Sequence, residues 1–556
     1  MNIFKGNHTY TVGFSFEKFE FDNSFNLTSY GFDLFGNVDI EDFDANNYAA
    51  TIAGAQATFA ANNAVPDGEG WSLAETNVGQ FAFYLQDEWS ATDDFKLTYG
   101  VRFDKPLYFD TADKIRENID RKGTYQPDNI YFNPNTGENT TIDSEQLPSN
   151  DWLISPRLGF NWDVKGDNTL QLRGGTGVFT GRLPFVWIGN QVQGVDFFFY
   201  QAVDPEFKWP QVWRTNLGVD KALEDGLVLT ADVSYTKDMN ASHVQNWALR
   251  DPSSNLVAPG DNRPRYQASD YATNAFGGAT NAYVFTNSDK GRIWNLAVKA
   301  QKNFDNGLFA SLAYSYLNAK DVNSIEAEIT GDAFDFNPNL GNANADVLSF
   351  SKYGDTHRFI GVGSKQFTYG TDNRWATTIS TFFEYAQGGR FNYTYAGNIN
   401  NDSSFQNNDL MYVPTSSEVQ QMQFSGAGQA DAFEAYIQQD DYLSDNRGSY
   451  AERYGALAPW RGRWDIKILQ DYNFKVSGDK THTIQLSFDI LNFGNLLNSD
   501  WGVIQQPNNL NPLAVSVDPD TNVPTFTFNP DLTETFGYDA SLLSRWQGQF
   551  GVRYIF

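Results

Sequence analysis

The segment Ser544–Phe556 reads SRWQGQFGVRYIF, and in steps of two it separates into two faces. Trp546, Gly548, Phe550, Val552, Tyr554 and Phe556 make an apolar, largely aromatic set; Arg545, Gln547, Gln549, Gly551, Arg553 and Ile555 make a mostly polar one. A period of two is that of a β-strand. In water such an aromatic strand would be an aggregation hazard, so its surroundings must account for it.

Composition narrows those surroundings. The chain has 556 residues and a net charge of −29, from 68 Asp and Glu against 39 Lys and Arg. That balance argues against nucleic acid, whose phosphates demand a basic surface. Mean hydropathy is −0.48, and no apolar run is long enough for a helical membrane span. Yet 16% of the residues are aromatic, 46 of them Phe, 28 Tyr and 14 Trp. A disordered acidic chain would be poor in rings, so disorder is a weak reading. There is no cysteine, hence no disulfide framework and no thiolate metal site. The stretch MNIFKGNHTYTVGFSF at 1–16 lacks the basic and apolar regions of a secretory signal.

The same alternation recurs along the chain in pairs. Short turns rich in Gly, Asp and Asn join the members of a pair: SATDD near 92, VKGDN near 166, LEDG near 224, FDNG near 305, YGTDN near 371 and VSGDK near 478. Long polar stretches, roughly 21–78, 108–151, 182–209, 239–289, 320–354, 388–461 and 495–543, separate one pair from the next. Phe95, Leu97, Tyr99, Val101 and Phe103 alternate with Lys96, Thr98, Gly100, Arg102 and Asp104; Leu229, Ala231, Val233 and Tyr235 alternate with Thr230, Asp232, Ser234 and Thr236. Trp89, Trp162, Trp213, Trp375 and Trp464 fall near strand ends, as aromatic girdles at two membrane interfaces require. The expectation is an all-β fold: one transmembrane antiparallel β-barrel domain over 1–556, about fourteen strands, short periplasmic turns and long extracellular loops. The strands are expected near 8–20, 79–91, 95–107, 152–164, 169–181, 210–222, 226–238, 290–303, 307–319, 355–369, 373–387, 463–476, 481–494 and 544–556. The parity of that even count puts both chain ends, residues 1–7 and Phe556, on the periplasmic side of a Gram-negative outer membrane.

The stretches YLQDEWSATDDFKLTYGVRFD, ISPRLGFNWDVKGDNTLQLRGGTGVFTGRLP, NNDLMYVP, APWRGRWDIKILQDYNF and IQLSFDILNFGNLLNSDWG, in that order from about 79 onward, together resemble the barrel of TonB-dependent outer-membrane receptors, most closely the Oar-like branch common in Bacteroidetes-type bacteria. The resemblance implies ligand capture by the loops and displacement of a plug by the TonB complex, with a large or scarce nutrient as cargo. It also implies a barrel of about 22 strands, so this chain is expected to be the C-terminal part, without signal peptide, TonB box, plug and roughly eight strands. The final FGVRYIF resembles the strand that the barrel-assembly machinery reads, which makes Phe550, Val552, Tyr554 and Phe556 the candidate insertion signal; that strand would then pair with the first and close the barrel.

Candidates for chemistry are few. His8, His243, His357 and His482 stand far apart, in no ligand spacing. RGGTGVFTG at 173–181 looks like a phosphate loop but sits within an alternating strand and opens no helix, so its glycines are read as permitting bending or close approach of an interior domain. Asn398, Asn400, Asp402 and Asp409 in GNINNDSSFQNND partly resemble a calcium loop, without its central Gly and terminal Glu; a solvated Asn/Asp turn is the preferred reading. Arg102, Asp104, Arg157, Asp163, Arg173, Asp232, Lys299, Asp465, Lys467, Gln485, Asp489, Gln547 and Arg553 should face inward, as a hydrated wall of paired charges or as a translocation path. The acidic excess gathers in loops, as in DIEDFD at 39–44, QQDDY at 438–442 and the acids of 518–539. No metal, cofactor or catalytic constellation is expected, and no enzyme. Expected partners are outer-membrane lipid and lipopolysaccharide, the barrel-assembly machinery, the TonB complex for the full-length protein, and an extracellular ligand. A plugless passive porin and a surface adhesin are the alternatives.

Overall fold

A computed structural model describes residues 1–23, 74–122, 128–193, 199–272, 281–327, 329–476 and 480–556, with the isolated positions 49, 53 and 57. The acidic run at 39–44, most of the first long stretch and the tip of the turn near 478 lie outside the described residues.

The alternating segments form one antiparallel sheet whose neighbours follow chain order: β1 Asn2–Lys5, β2 His8–Asn23, β3 Ala74–Ser90, β4 Phe95–Leu107, β5 Leu153–Asp163, β6 Leu170–Thr180, β7 Gln211–Ala222, β8 Leu227–Asp238, β9 Arg292–Asn303, β10 Leu308–Asp321, β11 His357–Tyr369, β12 Trp375–Ala386, β13 Arg461–Lys475, β14 Thr481–Leu491 and β15 Gln547–Ile555. A two-residue strand, Ser349–Phe350, pairs beside β10. The fourteen expected strands are all present, and the count is corrected to fifteen. Asn2–Lys5 folds back on His8–Thr11 through a two-residue turn in which Gly6 takes φ 61°, the geometry a type II′ hairpin asks of its first central residue. With only a four-residue strand before that turn, the pattern is too short to read as alternation. The last strand is shorter than expected, because Leu542–Ser544 is a turn of 3₁₀ helix.

Register puts the two sets on opposite faces of the sheet. Leu229, Ala231, Val233 and Tyr235 oppose Ala300, Val298, Leu296 and Trp294, and Leu97 and Tyr99 oppose Phe160 and Leu158. The apolar face is open to its surroundings: Phe14, Leu158, Leu217 and Leu312 are among many large apolar side chains about half exposed or more. A soluble sheet would bury that face against a second layer. Among the described residues no layer covers it, which is the arrangement of a wall against lipid. Trp89, Trp162 and Trp375 lie at the short-turn end of this face, and Trp213, Trp294 and Trp464 at the long-loop end. Trp464 and Tyr472 are eight residues apart on β13, about 26 Å along the strand, the scale of an outer-membrane apolar band. No described helix is long and apolar enough to cross a membrane, which says nothing of a barrel.

Closure is the second correction. Among the described residues β1 pairs only with β2, and β15 only with β14. The sheet is an open wall, with Phe550, Val552, Tyr554 and Phe556 exposed on its last strand, and the expected pairing of first and last strands is not made. Four residues of β1 cannot satisfy the nine of β15.

The long stretches between the pairs carry folded structure of their own. α1 Thr111–Lys122 and α2 Val186–Gln193, with the small sheet Ala241–Asn246, Asn281–Ser288 and Phe199–Val203, enclose a core of Ile115, Ile188, Phe207, Trp209, Phe285 and Phe334. α3 Gln429–Gln439 and the sheet of Tyr395–Ala396, Leu513–Val517 and Pro524–Phe528 enclose another, with Met411, Val413, Phe433, Ile437, Phe526 and Phe528 all fully buried. The described parts of these stretches thus fold into a cap with its own hydrophobic interior at one end of the wall.

Candidate functional site: the charged inner face and the cap

The polar set of each strand meets its neighbours across the sheet, and most of its charges are paired. Arg173 on β6 bonds Asp232 on β8 through Nη2 at 2.7 and 2.8 Å, and also pairs with Asp220 on β7. The bridge to Asp232 skips a strand. It does so over Gly218, the residue of β7 that opposes both Arg173 and Asp232; a Cβ there would stand 2.4 Å from Asp232 Oδ1 and 2.9 Å from Arg173 Cζ. Asp104 accepts from Arg102 Nε at 2.8 Å and from Gln80 Nε2 at 2.6 Å. Lys467 pairs with Asp489 at 2.8 Å, Arg463 with Asp465 at 2.8 Å and Arg358 with Glu384 at 2.7 Å, while Gln485 donates to Asp471 at 2.9 Å.

Of the inward set, Arg157 opposes Gly100 and Gly177, Lys299 opposes Thr230 and Ala313, and Arg553 opposes Gln485. Gln547 donates to the Leu542 carbonyl at 3.2 Å. Asp163 departs from the set: its carboxylate accepts the backbone N–H groups of Gly166 at 3.1 Å and Asn168 at 2.7 Å and shapes a turn. The sequence reading missed Asp220, Arg358, Glu384 and the gap at Gly218. The alternation of Leu217 and Val219 with Gly218 and Asp220 in TNLGVDKA was the available signal. RGGTGVFTG lies in β6. Its glycines meet other wall residues: a Cβ on Gly174 would fall 2.8 Å from the Phe160 ring, and one on Gly175 2.9 Å from the Leu158 carbonyl oxygen.

The histidines stay apart. His8 Nδ1 and the Tyr99 hydroxyl each lie 2.7 Å from Asp87 Oδ2 on the outward face, where the ring of His8 stacks with Tyr10 and Trp89. His357 meets the Tyr314 hydroxyl at 2.9 Å, and His482 meets that of Tyr554. His243 is buried in the cap 3.2 Å from Asp346, its pKa pushed down to about 4 mainly by burial. Among the described residues no group of three or more His, Cys, Asp or Glu is placed to hold a metal ion.

The 397–409 segment is corrected from a solvated turn to a buried polar core: Asn400, Asp402 and Asp409 have no exposed surface. Most of its buried oxygens accept from internal donors. Asp402 accepts from Asn339 and Asn400 at 3.1 Å each and from the Ser404 N–H at 3.0 Å, and the Asp402 N–H donates to Asn398 and Asn400 at 3.1 and 3.0 Å. Asp409 Oδ2 accepts the Ile399 N–H at 2.9 Å, and its Oδ1 lies 3.9 Å from the buried Arg263. Burial, then the nearby Asp402, raise the Asp409 carboxyl to about 8 despite Arg263. Arg263 itself is bonded to Asp261 at 2.8 Å and lies over the rings of Tyr395 and Tyr450.

Residues 1–199 match the family model described as outer membrane beta barrel domain. No curated protein matches the chain. Among solved structures, the siderophore receptor PirA from Acinetobacter baumannii is 10% identical with a TM-score of 0.44, over 99% of this chain and 53% of that one. The outer membrane transporter YddB from Escherichia coli is 10% identical with a TM-score of 0.43, over 100% and 52%. A ferric enterobactin receptor, PfeA, from Pseudomonas aeruginosa is 10% identical with a TM-score of 0.41, over 88% and 46%. The chain spans about half the length of the solved structures it matches.

Proposed function

We propose that the chain is the wall and loop cap of an outer-membrane receptor that captures an extracellular nutrient and passes it inward, in the manner of the TonB-dependent, Oar-like receptors whose motifs it resembles. One observation carries this reading: loops with hydrophobic cores of their own stand at the end of a wall whose inner face is a ladder of paired charges. A passive porin needs an open mouth and gains nothing from folding its loops so heavily. A hydrated inner face with folded loops suits capture followed by controlled passage.

The open wall belongs to the same proposal. In lipid each unpaired backbone group costs several kcal/mol, so strands additional to these fifteen complete the barrel, and the chain acts as one domain within it. In that barrel the short turns and Phe556 face the periplasm, whereas β1 turns back at Gly6 and carries Met1 along the wall to the Val12 carbonyl; lipid and lipopolysaccharide surround the aromatic face, and the TonB complex drives transport through the plug of the whole protein. Phe550, Val552, Tyr554 and Phe556 form the strand read by the assembly machinery. The test is conductance of the purified chain in planar bilayers: the receptor reading expects no steady open current, and a large, stable, ligand-independent current would establish the porin instead.

A further inference from the structure

We propose that the outward face of the wall seats one phospholipid with a zwitterionic phosphoethanolamine headgroup, in an apolar groove of about 560 Å³ across β7 to β11. The proposal rests on the reading above of a membrane wall with its short turns toward the periplasm. It names the lipid which that wall holds in one place.

Register builds the groove from two adjacent cross-strand rows of the outward set. In one row Lys221, Leu229, Ala300 and Leu312 oppose one another in turn; in the other Val219, Ala231, Val298, Tyr314 and Phe359 do. Ala231 and Ala300 are diagonal neighbours on β8 and β9, and each offers a single methyl where the residues around it are branched or aromatic. They make the floor. Leu229 and Val298, each 40% exposed, and Leu312, 56% exposed, stand up as its sides. The far side is stiff, because the rings of Tyr314 and Phe359 lie 4.8 Å apart and the Tyr314 hydroxyl is bonded to His357. The volume lies within the roughly 300–1,000 Å³ of small-molecule sites. A hollow of fixed apolar groups that opens into hydrocarbon suits an acyl chain.

Charge at the short-turn end selects the headgroup. Lys221 closes the groove there, and among the described residues its ammonium makes no ion pair. A lysine stem lies along apolar surface while its charge reaches the headgroup level. Lys165, Asp167 and Glu224 are close to Lys221, and Lys302, opposite Leu227, pairs with Asp225 at 2.8 Å. The mouth thus sets Lys165, Lys221 and Lys302 against Asp167, Glu224 and Asp225. Equal charges of both signs complement a phosphate beside an ammonium. Asp167 is occupied by Thr169, which leaves Lys221 for the phosphate and Glu224 for the ammonium. A net anionic headgroup is repelled by the acids as it is drawn by the lysines, and a quaternary ammonium has no N–H to donate to Glu224. With the short turns toward the periplasm, the leaflet at this end is the phospholipid one.

The test is native mass spectrometry of the full chain, delipidated in detergent and titrated with phosphatidylethanolamine, phosphatidylglycerol, phosphatidylcholine and lipid A. One phosphatidylethanolamine per chain should be retained, more tightly than the other three. Lys221→Gln removes the partner of the phosphate, and Ala300→Leu fills the floor from the lipid side; each should weaken retention about tenfold. The two variants act on opposite ends of the lipid, so either keeps the test valid if the other disturbs the wall. The proposal is overturned if no phosphatidylethanolamine is retained, if another of the lipids binds more tightly, or if neither variant weakens retention. The two readings fail separately: absent lipid retention with absent steady conductance removes the lipid seat alone, whereas a steady open current removes the receptor reading and leaves the seat standing.

Discussion

At the scale of single residues the wall depends on what is missing at one position. Gly218 leaves the space through which Arg173 reaches Asp232 across an intervening strand. Gly218→Ala should cost about 1–3 kcal/mol, as overpacking does, seen as a lower urea midpoint of tryptophan fluorescence in micelles. A double-mutant cycle on Arg173→Ala and Asp232→Ala should return a coupling of about 1 kcal/mol or less, because both side chains keep a third or more of their surface in solvent. In the cap the decisive residue is Asp409. Its carboxyl is raised from 3.8 to about 8 in the fold, so between those limits the folded state holds a proton that the unfolded state has lost. The stabilisation is fully present below about pH 3.8 and declines by about 1.4 kcal/mol per pH unit as pH rises toward 8. Asp409→Asn cannot ionise and should flatten that slope; urea midpoints of wild type and variant measured from pH 4 to 8 check it, and parallel curves would refute it.

At the scale of elements the wall and the cap obey different rules, and this decides what could be read from the sequence. Phe433 on α3 is fully buried against Phe424 and Phe528. Phe433→Ala should cost the cap about 3–5 kcal/mol while the wall strands keep their ladder of backbone bonds. Limited proteolysis should then cut within 388–461 first, with the β-sheet circular dichroism unchanged. The strands were legible because a wall between lipid and water fixes period two along its length: Leu229 to Tyr235 and Phe95 to Phe103 need no knowledge of distant partners. The cap was not. Its cores join Ile115 to Phe285, and Leu256 to Phe526, and contacts between segments so far apart leave no local periodicity. The inner face was legible in part: Arg173 and Asp232 fall in the alternating polar sets, but that Gly218 lies between them and leaves the gap is a matter of register between strands. The 397–409 segment misled for a related cause: its Asn and Asp residues have the composition of a solvated turn, and only tertiary burial turns them into a polar core.

At the scale of the whole molecule the unpaired rims of β1 and β15 dominate the energetics in a membrane. β15 has nine residues, and its outer edge repeats a donor and an acceptor along its length with no partner among the described residues. β1 has four, so direct closure would satisfy at most half of that edge and leave the rest of β2 uncovered. At several kcal/mol per unsatisfied group in lipid, the shortfall far exceeds the roughly 5–15 kcal/mol by which a protein is stable. The wall is therefore expected to meet other strands at both rims instead of closing on itself. The chain contains no cysteine, so a pair introduced as Phe4→Cys and Phe550→Cys reports on this without background. If β1 and β15 were neighbours, mild oxidation would link the pair within one chain and accelerate its migration on a gel under denaturing conditions. The expected result in outer membranes is no intramolecular link, with Phe4→Cys and Phe550→Cys as single variants still open to a thiol reagent or cross-linking to another segment. Efficient intramolecular oxidation would mean that fifteen strands do close, and the wall would have to be reinterpreted as a narrow, self-contained pore.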